Sequence, residues 1–172
     1  MSPEIREFFF NSALNTQHSV FSTDMTANTK RRQGREFALQ VLYALDMLSG
    51  DPQKALRLFW HAFAPQVAVS EFTNELVEGV WRERERIDKL IADAAENWRL
   101  GRIPKVELNL LRLGVYELLT YPLISPGVTI NEAIEIARRY GGDDAPTFVN
   151  GILDHVAMVI GKKARPHEPA AE

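Results

Sequence analysis

The side chains best suited to chemistry lie in one short stretch, NTKRRQGREFALQVLYALD, where Lys30, Arg31, Arg32 and Arg35 crowd together. A guanidinium group is a planar fork of donors that meets two phosphate oxygens at once, so arginines at this density suit a phosphate-bearing ligand. The apolar period that follows is helical, which places the cluster at or around a helix N-terminus. There the backbone dipole favours anions, so these cations are out of place for stability alone. If the helix extends upstream, spacings of three and four residues bring Arg31, Arg32 and Arg35 onto one face. Together with free N–H groups at a helix start, that face makes a phosphate site.

Charge distribution points to local contact with a polyanion. The chain carries a net −3, divided as −2 over residues 1–29, +4 over 30–35, −6 over 36–160 and +1 over 161–172. An acidic body with one basic patch does not suit indiscriminate polyanion binding. It fits a protein that touches nucleic acid at one place while another component shares the grip.

Other chemistry is not indicated. His18, His61, His155 and His167 fall in four separate segments without metal-ligand spacing, and there is no cysteine for a thiolate site, a nucleophile or a disulfide. Neither GxGxxG nor GxxxxGK[ST] occurs, and no GxSxG elbow is present. Asp143-Asp144 reads as a helix start, where carboxylates cap and complement the dipole. No catalytic residue, cofactor or metal is assigned.

The elements that would carry the basic cluster read as helix after helix. At 172 residues and 45% hydrophobic content, one soluble domain is expected. Residues 1–29 lack a sustained period and read as a flexible extension, with Met25 as the natural start. The intact N-terminal mass of protein made from its own gene tests that: a first residue at Met25 is expected, and one at Met1 refutes it. From Arg35, Phe37, Val41, Leu45 and Leu48 mark one helical face. Asp51-Pro52 opens a second helix carrying Leu56, Phe59, Trp60 and Phe63, closed by Pro65. Ser70 reads as the N-cap of a third with Phe72, Leu76 and Val80, which continues or restarts through WRERER towards Ile87, Ile91 and Trp98.

Pro104 then introduces VELNLLRLGVYELL, apolar nearly all round and so expected to be a buried central strut, with Glu107, Arg112 and Glu117 as its charged exceptions. A helix beginning at Thr129 or its neighbours, with Ile130, Ile134 and Ala137 or Ile136 inward, stops at Gly141-Gly142. The last carries Phe148, Ile152, Val156 and Val159 and ends by Gly161. The expectation is an all-α, compact single-domain bundle of about seven helices over residues 30–160, with a flexible tail at 161–172. No apolar stretch is long enough for a membrane span, and the N-terminal run is too short for a secretory core, so a cytoplasmic protein is expected.

Three separated motifs in order, VELNLLRLGVYELL, VTINEAIEIARRYG and FVNGILD, together with the opening RRQGREFALQVLYALD, resemble the NusB family of bacterial transcription antitermination factors. The likeness runs from about Lys30 to about Ile160. It implies a seven-helix domain without catalytic activity that binds single-stranded boxA RNA together with the ribosomal protein NusE. It also implies a place beside other Nus factors on RNA polymerase. Homodimers occur in the family and are compatible with this reading.

Carried over by position, Lys30, Arg31, Arg32 and Arg35 match the basic RNA-contacting motif, and Asp144, Thr147 and Phe148 match positions beside the RNA path. Tyr43 and Glu107 match positions facing the protein partner. Thr147 stands where many relatives carry lysine, and Gln33 at the third basic place of the motif, so weaker RNA binding alone and greater reliance on the partner are implied. Two other readings stay open here. The same fold fronts certain ribosomal-RNA cytosine methyltransferases, although this chain ends before a methyl-donor domain could fit. A self-associating helical scaffold is the other.

Overall fold

A computed structural model describes residues 27–48, 50–62, 67–95 and 99–162. Met25, Phe63, Pro65, Trp98 and the two expected terminal segments, apart from residues 27–29, Gly161 and Lys162, lie outside the described residues. Among the described residues the chain is all-α, as expected. The helices are α1 (Ala27–Leu48), α2 (Pro52–Ala62), α3 (Val67–Arg82), α4 (Arg84–Ala94), α5 (Lys105–Thr120), α6 (Pro126–Tyr140) and α7 (Ala145–Val159), with a 3-10 turn at Leu100–Arg102. Length suggested one domain; the chain groups into two compact units, residues 1–78 and 79–172, divided within α3.

In the first unit, aromatic rings join α1 to α2. Phe37 meets Phe59 and Trp60 edge-on, with centroids 5.4 and 5.8 Å away. The Trp60 indole N–H donates to Asn74 Oδ1 at 2.7 Å and ties α2 to α3. The α2 start follows the sequence reading: Asp51 Oδ2 accepts from the Lys54 N–H at 2.9 Å, as an N-cap carboxylate does. The α3 start does not. Ser70 lies inside the helix, where its hydroxyl donates to the Val67 carbonyl at 2.9 Å rather than capping the end.

In the second unit α5 is the central strut that its composition predicted. Every residue from Glu107 to Leu118 is buried, and α5 packs against α4, α6 and α7. Its charged exceptions are buried with it, and one of them forms an ion pair. Arg112 is 4% exposed; its Nε and Nη2 donate to the two Asp88 carboxylate oxygens on α4 at 2.7 and 2.8 Å. Its Nη1 donates to Asn109 Oδ1 at 3.1 Å, and the Asn109 amide donates in turn to the Lys105 carbonyl. Tyr116 reaches the end of α3, where a Cβ on Gly79 would fall 2.1 Å from the ring. Gly141 and Gly161 end α6 and the α7 turn where expected, and Gly161 takes the left-handed φ of 76°. Two inward assignments on α7 are corrected: Val159 is 64% exposed and Phe148 only half-buried, because the helix turns these positions away from α5 and α6.

Arg112→Ala would leave a partly buried Asp88 carboxylate without its fork. A loss of about 2–3 kcal/mol is expected from a single ion pair of this kind. Urea unfolding of the variant measures it, and a change below about 0.5 kcal/mol, the usual surface effect, would refute the role.

Candidate nucleic-acid interface

The helix carrying the basic cluster begins at Ala27, so the upstream extension that brings Arg31, Arg32 and Arg35 together is present. It also changes their setting. Arg31 lies more than a turn into α1, beyond the free N–H groups, and the dipole effect fades within that first turn. Arg31, Arg32 and Arg35 are therefore past the helix end, and any phosphate they hold is held by side chains without help from free backbone N–H groups.

Exposure divides the four. Arg31 is exposed, and Lys30 and Arg32 are half-buried. Arg35 is 5% exposed, although its type and spacing group it with Arg31 and Arg32 as a phosphate contact. The cause is its face: the same turn of α1 buries Gly34, Glu36 and Phe37. The Arg35 guanidinium carbon lies 5.6 Å from the centroid of the Phe72 ring, and that of Arg31 lies 5.9 Å from it, both within cation–π range. Lys30 and Arg31 also line a cleft of about 380 Å³ opposite Glu71, Phe72 and Glu75 on α3. The sequence assigned Phe72 to the core of its helix, and the carboxylates went unmarked. Nothing in the one-dimensional pattern distinguishes a ring that meets cations from one that meets leucines.

Tyr43 stands about two turns further along α1 and is half-buried. In the second unit, Asp144, Thr147 and Phe148 share the opening turn of α7, Asp144 and Thr147 exposed and Phe148 half-buried. Asp144 makes no side-chain cap hydrogen bond, contrary to the capping role its position suggested, because its backbone is already helical with φ −88° and ψ −6°. Glu107 is 7% exposed, and its Oε1 accepts from the Gly142 N–H at 3.2 Å, bracing the link that carries Asp144. No group of three or more metal-ligating side chains occurs among the described residues, and no described helix is long and apolar enough to cross a membrane.

The family model described as NusB family matches residues 32–158. The chain belongs to the NusB family. It is 43% identical over 143 residues to the transcription antitermination protein NusB of Geobacter sp. strain M21, covering 78% of this chain and 99% of that protein. The solved NusB of T. maritima is 36% identical with a TM-score of 0.67, over 74% of this chain and 90% of that one. A NusB crystallised with NusE and double-stranded RNA is 27% identical with a TM-score of 0.69, over 76% and 97%.

Burial separates two arginines that look equivalent in sequence. Arg35→Ala is expected to cost about 2 kcal/mol through loss of its buried contacts, the Phe72 ring among them, and Arg31→Ala under about 0.5 kcal/mol as a surface change. Thermal unfolding of both variants tests this, and equal losses would refute the distinction.

Proposed function

We propose that the chain is a non-catalytic RNA-binding adaptor in transcription antitermination of ribosomal RNA operons. The observation that carries this reading is the basic face of α1, with Lys30, Arg31 and Arg32 reaching solvent in an otherwise acidic NusB-family chain. The ligand is single-stranded boxA-type RNA, bound together with NusE. Lys30, Arg31 and Arg32 hold phosphates, and Arg35 adds its charge from beneath them. Asp144, Thr147 and Phe148 form a second RNA-facing set on their own unit. There the half-buried Phe148 ring offers a stacking platform for an unpaired base.

Tyr43 and Glu107 face NusE. With Glu107 Oε1 engaged by Gly142, Oε2 is the oxygen that meets a partner's donor. The adaptor works in the cytoplasm within a complex of other Nus factors and RNA polymerase. The reading is compatible with a homodimer as well as with a monomer. The relative crystallised with NusE and RNA supports the partner pair, although its RNA is a duplex.

The test is binding to boxA-type RNA, a shuffled strand and a duplex, with and without NusE, at one fixed salt concentration. NusE is expected to tighten binding to boxA alone. Equal binding to all three with no effect of NusE would overturn the function, and a preference for the duplex would overturn the single-strand assignment. Arg31→Ala and Arg32→Ala should each flatten the slope of log affinity against log salt by about 0.7.

A further inference from the structure

We infer that Phe72 is a positioning residue of the arginine face: its ring holds the Arg31 guanidinium in the orientation in which it meets RNA phosphate. This rests on the RNA-binding reading above and adds to it a residue of α3, outside the basic motif.

The ring is fixed in place from two sides. A Cβ on Gly34 would lie 2.8 Å from Phe72 Cδ1, so the ring edge occupies the space that a side chain at residue 34 would fill. The neighbouring Thr73 hydroxyl lies 3.2 Å from the Gly34 carbonyl oxygen and 2.7 Å from that of Val69, fixing α3 against α1 at the same level. On this fixed ring, Arg31 and Arg35 converge from adjacent turns of α1, with guanidinium carbons 5.9 and 5.6 Å from its centroid. Like charges four residues apart on a helix repel. The negative face of the ring offsets that repulsion for both cations.

The choice of partner matters for ligand binding. A carboxylate would hold Arg31 but would compete with phosphate for its N–H donors. An aromatic face attracts the cation through its plane and leaves the in-plane donors available. Arg31 is long and flexible, so holding it beforehand removes ordering cost from the binding step. Phe72 is also half-buried rather than sealed in the core, and it lines the cleft together with Lys30 and Arg31.

The experiment compares RNA affinity of Phe72→Leu, Phe72→Tyr, Arg31→Ala and the Arg31→Ala/Phe72→Leu double variant, with thermal unfolding followed in parallel. Phe72→Leu should weaken binding about three-fold, the scale of an exposed cation–π contact, with the fold retained. Phe72→Tyr should restore affinity, and Phe72→Leu should add nothing in the Arg31→Ala background. Full affinity in Phe72→Leu, or simple additivity in the double variant, overturns the inference. If Arg31→Ala itself leaves RNA binding unchanged, the RNA reading fails instead, so the two failures are distinguishable. A second readout needs no variant: in the free protein the Arg31 Nε–H order parameter should exceed that of exposed Arg102, and equal values would overturn the inference.

Discussion

The absence of a side chain at residue 34 is the constraint on which the basic face depends. A glycine inside a helix costs roughly 1 kcal/mol relative to alanine, and α1 carries it in the middle of its charged motif. What the site gains is proximity. The Phe72 ring edge lies where a Cβ would be, and the Thr73 hydroxyl reaches the Gly34 carbonyl oxygen. The two flanking arginines then both come within cation–π range of that ring. Arg31 stays exposed and Arg35 is buried, although one helix presents both.

The second unit solves a different problem by similar means. A helix buried on every side has no solvent face for polar residues, so those it carries must find partners inside. Arg112 finds the Asp88 carboxylate and Asn109, and Glu107 finds the Gly142 N–H. These contacts fix the register of α5 against α4 and the path of the chain from α6 into α7. Asp144 and Phe148 are thereby presented by a braced link, on the first turn of a helix whose other face is core.

Periodicity made most of this architecture legible. Helix number, the buried strut and the stop at Gly141 all follow from local pattern, since each depends on residues near in sequence, whereas the pattern left open whether the chain breaks at WRERER. Contacts between distant segments were not legible. The pattern around Phe72 reads as a core face because apolar spacing records which side of a helix turns inward, not what it meets there. Arg35 looked identical to Arg31 because type and spacing carry no burial. Ser70 and Asp144 looked like caps because their types favour helix starts, yet α3 begins earlier and Asp144 already has helical backbone. The candidate site residues come from the resemblance to the family, and the structure adds only how deeply each is buried and what it touches.

The unequal burial of Arg31 and Arg35 gives the basic face two electrostatic regimes. Mobile ions screen exposed charges over about 8 Å at physiological ionic strength, and reach buried ones far less. Salt therefore weakens the outer cations while the inner one keeps its contact with the ring. The charge that attracts a polyanion and the charge that holds two helices together are thus separated by depth within a single turn. On the proposed reading, an ionic change weakens the hold on a polyanion while the contact between the two helices persists.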